Sequence, residues 1–181
     1  MGPFELIETP IKGCFEIIPR VFEDDRGRFV KTFHYGWFRE QGLQSEYEEQ
    51  YYSVSAKSVI RGLHFQAPPN AHVKLVSCLS GSILDVVVDL RKDSSSYRQF
   101  HTTEVSATKG NMVYVPEGLA HGFYVLSDRC IFLSMNSRKF SPECDRAINW
   151  NSIGFDWPDK NPVVSEKDRN AVMLNDYNSP F

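Results

Sequence analysis

Ten short segments rich in Val, Ile, Phe, Tyr and Thr follow one another along the chain, and turn-forming residues separate them. Short strands at this spacing are typical of a β-sandwich or β-barrel. A helix is predicted at residues 35–41, before Gly42, and a second short helix begins after Ser165. The sequence therefore predicts one all-β domain over residues 1–181 with short flanking helices. The predicted strands are residues 14–18, 27–33, 49–55, 59–65, 74–79, 83–89, 100–105, 111–115, 122–125 and 130–135.

The charge balance limits the kinds of partner. The formal net charge of −3 leaves no basic field that would attract nucleic acid or an anionic membrane, so any phosphate site must be local. No apolar run approaches the roughly 20 residues of a membrane span, and the first residues lack a secretion signal. Cys78 and Cys130 lie in apolar segments and no CxxC pair is present, which predicts reduced core cysteines. These features indicate a cytoplasmic protein.

Asp85 interrupts an otherwise apolar predicted strand at residues 83–89. In a strand it shares a face with Val87 and Asp89. A carboxylate inside a barrel is costly unless it is paired. Two interpretations therefore stay open: Asp85 has a buried partner, or it faces solvent on a half-exposed strand.

Two of the five histidines stand in unusual surroundings. His64 follows Arg61 and Gly62, which break an apolar strand; Arg61 is expected on the face opposite to His64 unless a bulge intervenes. His121 has small neighbours that would allow a ligand to approach closely. Both are candidate functional residues.

Metal and nucleophile sites have weak support in the sequence. Cupin-type metal enzymes usually carry an HxH pair followed by Glu, and this chain has no HxH, so we expect no metal, although dispersed ligands stay possible. No GxSxG elbow suggests a serine nucleophile. No P-loop or GxGxxG is present, so a phosphate would be held by arginines.

Short motifs follow one another from residue 21 to residue 168. They are VF at 21–22, DRG at 25–27, RGLHFQ at 61–66, PP at 68–69, KLV at 74–76, VPEG at 115–118, AHGF at 120–123, SPE at 141–143, DWP at 156–158 and SEKD at 165–168. In order and spacing they resemble the dTDP-4-dehydrorhamnose 3,5-epimerase family. The resemblance covers nearly the whole chain.

This resemblance implies a cupin-type jelly-roll barrel, usually dimeric, with the active site inside it. Such enzymes take a proton from carbon 3, then carbon 5, of a 4-keto sugar nucleotide and return it on the other face. The resemblance implies no cofactor, because the ketone of the substrate acidifies both C–H bonds. The product would enter deoxysugar or cell-surface polysaccharide biosynthesis.

The resemblance also assigns roles to residues. It makes His64 the base and Asp168 the carboxylate that fixes its tautomer. It makes Lys74 the cation that stabilises the negative charge developing on the enolate oxygen. The other implied substrate contacts are the His121–Asp85 pair near the sugar, Arg26 and Arg61 at the diphosphate, and Phe29, Glu49, Tyr51 and Gln66.

The chain departs from the family pattern at several positions. Ser134 stands thirteen residues after His121, where the family usually has the tyrosine thought to act as the acid. Glu49 and Tyr51 replace a common Gln and Asn, and Lys31 replaces a common acidic residue. A serine hydroxyl is a much poorer proton donor than a phenol. We therefore expect exchange mainly at one carbon, carbon 3, unless another tyrosine acts; the candidates are Tyr51, Tyr52 and Tyr124.

Three alternatives to a 3,5-epimerase stay open. The first is a mono-epimerase for a CDP- or GDP-linked keto sugar. The second is a metal-dependent cupin enzyme. The third is a sugar-nucleotide binder without turnover, against which the joint presence of His64, Lys74 and Asp168 argues.

Overall fold

Two antiparallel sheets packed face to face dominate the computed structural model, which describes residues 2–181. The strands are β1 Phe4–Glu8, β2 Phe15–Pro19, β3 Val21–Asp24, β4 Gly27–Val30, β5 Glu49–Ala56, β6 Val59–Gln66, β7 Lys74–Ser80, β8 Ser82–Asp89, β9 Phe100–Ser106, β10 Met112–Val115, β11 Leu119–Val125, β12 Arg129–Asn136, β13 Asp145–Ala147 and β14 Val163–Val164. The helices are α1 Tyr35–Glu40 and α2 Glu166–Arg169, and 3₁₀ turns cover Trp150–Ser152 and Leu174–Asp176.

The first sheet has the order β1-β2-β10-β7-β12-β5. The second has the order β13-β6-β11-β8-β9, and the short β14 adds a parallel pairing to β6. Strands β3 and β4 form a separate hairpin. The predicted all-β jelly-roll fold is confirmed: the two sheets are antiparallel, and most neighbouring strands within them are distant in sequence.

The core lies between the two sheets. Phe123 of β11 stacks on Phe132 of β12, with ring centroids 4.3 Å apart, so these strands face each other across the barrel. Val76, Val87 and other aliphatic side chains fill the same layer. The predicted core cysteines Cys78 and Cys130 are also confirmed: both are buried there and form no disulfide. Burial of this apolar layer is the main term that holds the sheets together.

All ten predicted strands are present, with small differences at their ends. Strand β4 ends at Val30, whereas the prediction extended it to residue 33, and β11 begins three residues earlier than predicted, at Leu119. The sequence analysis missed four strands: β1, β3, β13 and β14. Strand β3 has only four residues, and β13 and β14 are shorter still, so none of them shows a clear alternation.

Both predicted helices are confirmed. Helix α1 ends at Glu40, and Gly42 follows with φ +71°, a conformation that glycine adopts without a Cβ penalty. At α2, the Ser165 hydroxyl accepts a hydrogen bond of 3.1 Å from the Asp168 amide, as expected for an N-cap. The cap fixes the turn that carries Asp168 into the protein. Between residues 2 and 181, no helix has the length and apolar character needed to cross a membrane.

Candidate active site

The inner face of the first sheet carries polar side chains at one end of the barrel. Directly opposed residues on neighbouring strands point to the same face. One such row runs from Val76 through Ser134 to Tyr51, and the next from Lys74 through Asn136 to Glu49. Ser134 shares its face with Phe132, which packs in the core. Both rows therefore face the barrel interior.

The opposite wall comes from the second sheet. His64 of β6 pairs with His121 of β11, and Arg61 pairs with Phe123. The register shifts between these pairs, which marks a β-bulge at Gly62. Because of the bulge, Arg61 and His64 line the same cavity, and the simple alternation expected for this strand is wrong.

Gly62 allows the bulge for two reasons. Its φ is +138°, a region that side chains rarely adopt. A Cβ at this position would lie 2.5 Å from the Gly122 Cα. The glycines of β6 and β11 thus let two backbones approach directly beneath the cavity.

The two walls enclose a cavity of about 470 Å³ that adjoins a second space of about 420 Å³. Tyr51, His64, Lys74 and Lys167 line both, so they form one cleft. A cleft of this size is suited to a drug-sized or larger ligand. Its other charged or polar lining residues are Glu49, Ser53, Arg61, Gln66, His72, His121, Asn136, Arg138, Asp145, Ser165 and Asp168.

His64 and Asp168 form the predicted pair. The His64 Nε2 lies 2.5 Å from Asp168 Oδ1, and the Gly62 amide donates to Oδ2 at 3.3 Å. Burial acts to raise the pKa of Asp168, but hydrogen bonding and charge from His64 and the bonds from Gly62 and Ser165 outweigh it and lower that pKa. Asp168 is therefore an ionised partner for the imidazole.

Lys74 is a cation enclosed by the protein. Its Nζ donates a 2.9 Å hydrogen bond to the His64 carbonyl oxygen, and only 7% of the residue is exposed. Burial lowers the pKa of Lys74 to about 8, although Asp145 and Asp85 oppose this shift. The lysine is close to its point of deprotonation near neutral pH.

Asp85 is a buried carboxylate with a partner, which decides the question that the sequence left open. Only 1% of Asp85 is exposed, and its Oδ2 lies 2.7 Å from His121 Nε2. The alternative in which Asp85 faces solvent is therefore wrong. The pair holds the His121 ring in one orientation at the cavity wall.

A hydrogen-bonded chain connects the polar rows of the first sheet. The Ser134 hydroxyl donates to Asn136 Oδ1 at 2.9 Å, and Asn136 Nδ2 donates to Glu49 Oε2 at 3.1 Å. Burial raises the pKa of the Tyr51 phenol, while Ser134 and Asn136, as hydrogen-bond neighbours, act to lower it. Tyr51 faces the open cleft, with 46% of its surface exposed.

His72 is a cleft residue that the sequence analysis did not single out. Neither ring nitrogen has a hydrogen-bond partner among the described residues, and burial lowers the pKa of His72 to about 3. The imidazole is therefore neutral, and its ring nitrogens are enclosed at the cleft wall. Asn136, Arg138 and Lys167 were missed as well. The position of His72, two residues before Lys74, was the only signal for it.

Three residues that were predicted to contact substrate either lie outside the cleft or are bound to the protein itself. Arg26 and Phe29 lie on the β3–β4 hairpin and line no part of the cleft within residues 2–181. The Arg26 side chain is 90% exposed and pairs with Asp24. Gln66 does line the cleft, but its amide is bound to the Asn70 carbonyl and to the Ser141 amide, so it anchors a loop.

Metal-ligating groups do not converge in the described part of the chain. Residues 2–181 contain no group of three His, Cys, Asp or Glu side chains that could hold an ion. The metal-dependent alternative therefore finds no ready donor set there, and metal-free turnover stays a prediction.

Comparisons with known proteins agree on one family. The family model described as dTDP-4-dehydrorhamnose 3,5-epimerase matches residues 8–176. A Methanothermobacter thermautotrophicus protein of that name is 40% identical over 179 residues, covering 96% of each chain. The crystal structure of the Elizabethkingia anophelis enzyme of the same name superposes with a TM-score of 0.91 at 37% identity, covering 97% of this chain and 98% of that one.

A third relative was solved with a ligand. The Legionella pneumophila dTDP-6-deoxy-D-glucose-3,5-epimerase, in complex with dTDP-4-keto-L-rhamnose, superposes with a TM-score of 0.92 at 32% identity. The match covers 97% of this chain and 95% of that one. These likenesses extend over nearly the full length of each protein.

Proposed function

Because the chain belongs to the dTDP-4-dehydrorhamnose 3,5-epimerase family, we propose that it inverts carbon 3, carbon 5 or both of a 4-keto-6-deoxyhexose nucleotide. It is an isomerase whose substrate is a nucleotide sugar. The observation that carries the assignment to this cleft is the His64–Asp168 pair beside the buried cation Lys74. The product serves deoxysugar or cell-surface polysaccharide biosynthesis.

The first step is proton abstraction by His64. Its Nε2 is engaged by Asp168, so Nδ1 is the nitrogen left to take a proton from the carbon beside the ketone. The ionised Asp168 stabilises the imidazolium that results. Because the ketone of the substrate delocalises the electron pair, this step uses no cofactor.

The electron pair moves onto the ketone oxygen and forms an enolate. Lys74 is the buried cation on the facing wall and supplies the compensating charge. A fixed charge in a site shielded from water stabilises such an oxyanion strongly and needs no reorganisation. The His121–Asp85 pair and His72 are proposed contacts of the sugar.

The diphosphate is assigned to the cationic rim of the cleft. The Arg61 Nε donates to the Ser55 hydroxyl at 2.9 Å, which fixes the guanidinium and leaves its terminal nitrogens available for phosphate oxygens. Lys167 lies on the same rim. The proposed contacts select no particular nucleobase. A mono-epimerase for a CDP- or GDP-linked keto sugar is therefore the alternative form of the proposed epimerase.

A cytoplasmic homodimer is the assembly that we propose. Its support is the β3–β4 hairpin, where Phe22 and Phe29 are 51% and 62% exposed with ring centroids 6.4 Å apart. Aromatic side chains are enriched at protein–protein interfaces. A hairpin that reaches the cleft of a second copy would also bring Arg26 to the diphosphate.

The catalytic assignment is tested by substitution of the pair. We expect His64→Ala to lower turnover by about 10²–10⁴-fold, and Asp168→Asn to lower it as well, because the amide does not hold the same tautomer. Binding of dTDP, measured by calorimetry, should change little in both variants. His101→Ala, a histidine outside the cleft, is the control. Near-normal turnover in His64→Ala would refute the assignment.

A further inference from the structure

We propose that Tyr51 is the proton donor that completes inversion from the wall opposite His64. The inference rests on the proposed function, since it assigns the second proton transfer of the same reaction. Inversion needs a base on one face of the sugar ring and an acid on the other. His64 belongs to β6 of the second sheet, so the acid is to be found on the first sheet.

Tyr51 lies on that opposite wall. It is the direct cross-strand partner of Ser134, and Ser53 is the partner of Phe132. Directly paired residues share a face, so Tyr51 and Ser53 point into the barrel with the core residue Phe132. Tyr51 and His64 both line the cavity, each from a different sheet.

The other two candidate tyrosines are placed elsewhere. Tyr52 alternates to the outer face of β5 and is 68% exposed. The Tyr124 hydroxyl lies 3.1 Å from the Ser58 hydroxyl, and its ring packs in a hydrophobic cluster with Ile60 and Trp157. Among residues 2–181, Tyr51 is the tyrosine that lines the cleft.

The surroundings of Tyr51 suit a proton donor. Its direct cross-strand partner Ser134 donates to Asn136, and Asn136 donates to Glu49, so a hydrogen-bonded chain lies beside Tyr51. Ser134 is fully buried and its side chain is small. Because burial raises the pKa of Tyr51, the phenol keeps its proton at neutral pH.

The proton transfer balances as follows. The Tyr51 O–H bond breaks and a new C–H bond forms on the face opposite to the one that His64 deprotonated. The enolate electron pair leaves the oxygen and restores the ketone. The step leaves a phenolate at Tyr51 and an imidazolium at His64, and exchange with water returns both to their starting forms.

The test separates proton abstraction from inversion. The wild-type protein, Tyr51→Phe and Tyr52→Phe are each incubated with dTDP-4-keto-6-deoxyglucose in deuterated water. We expect Tyr51→Phe to form inverted product about 10²–10⁴-fold more slowly. It should still incorporate deuterium into substrate of unchanged configuration, because His64 exchanges its proton with solvent and returns deuterium to the same face. Tyr52→Phe should match the wild type in both readouts.

Each other outcome has a definite meaning. Unchanged inversion in Tyr51→Phe would overturn the assignment. An equal fall in exchange and inversion would overturn it too, because a merely structural role lowers both together. A wild-type protein that neither exchanges nor inverts this substrate would instead count against the proposed function, and with it against the role of Tyr51.

Discussion

At the scale of single residues, the cleft depends on a cation that is costly to bury. Lys74 has one hydrogen bond from its Nζ, to the His64 carbonyl, and no carboxylate within ion-pair distance among the described residues. Its lowered pKa of about 8 records this cost. An enolate oxygen would supply the missing negative charge, which is the condition for binding the transition state better than the ketone.

This makes the reaction sensitive to alkaline pH. The ammonium form is present below the pKa of Lys74 and is lost as the pH rises through about 8. We therefore expect kcat/KM, which reports the free enzyme, to fall above pH 8. In Lys74→Arg the guanidinium stays charged, so whatever activity remains should not fall above pH 8. An unchanged alkaline decrease of kcat/KM in Lys74→Arg would show that another group causes it.

Residue positions were predictable where a motif names the residues. The motifs identified His64, Lys74, Asp168 and the Asp85–His121 pair, and the structure places all five at one cleft or directly behind its wall. Which tyrosine faces the cleft was not predictable, since strand register and facing sheet decide it. His72 was missed because its neighbourhood is formed by residues distant in sequence.

At the scale of structural elements, the bulge in β6 controls which side chains reach the cavity. It reverses the alternation of the strand, so Arg61 and His64 serve the same space. The sequence shows the glycine but not the close approach of β11 that requires it. Strand ends were predicted to within three residues, whereas β1, β3, β13 and β14 were missed.

The bulge gives a prediction for stability. In Gly62→Ala, the added Cβ would meet the Gly122 Cα at 2.5 Å, so backbone strain and a steric clash act together. Gly154→Ala is the matched control, because Gly154 also has a positive φ, of 75°, but open space around it. We expect the control to lose roughly 1–2 kcal/mol of its free energy of unfolding. For a chain of this length, each kcal/mol corresponds to about 2–4 °C of Tm. Gly62→Ala should lose clearly more Tm, and a smaller loss than in Gly154→Ala would contradict this account of the bulge.

At the scale of the whole molecule, two observations concern assembly. Arg26 lies outside the cleft of its own chain, and the hairpin that carries it exposes two aromatic rings. Both are explained if the hairpin completes the cleft of a second copy. The sequence pattern indicated Arg26 as a diphosphate contact but could not show which chain it would serve.

Mixing two impaired variants tests this assembly. Arg26→Ala lacks the proposed hairpin contact and His64→Ala lacks the base. In a mixed dimer, one cleft would combine His64 of the first chain with Arg26 of the second. We expect co-refolded mixtures at low substrate concentration to recover activity well above either variant alone. No recovery in a mixture shown to contain mixed dimers would place Arg26 in its own chain's function or outside the site.

The central claim is that this cleft forms an enolate from a 4-keto sugar nucleotide. The most direct measurement is NMR of dTDP-4-keto-6-deoxyglucose incubated with the wild-type protein in deuterated water and EDTA. We predict deuterium at carbon 3, carbon 5 or both, and its loss in His64→Ala, because His64 abstracts the proton; inversion is expected only at a carbon to which Tyr51 donates. No exchange at either carbon, or exchange only after a metal ion is restored, would contradict the account.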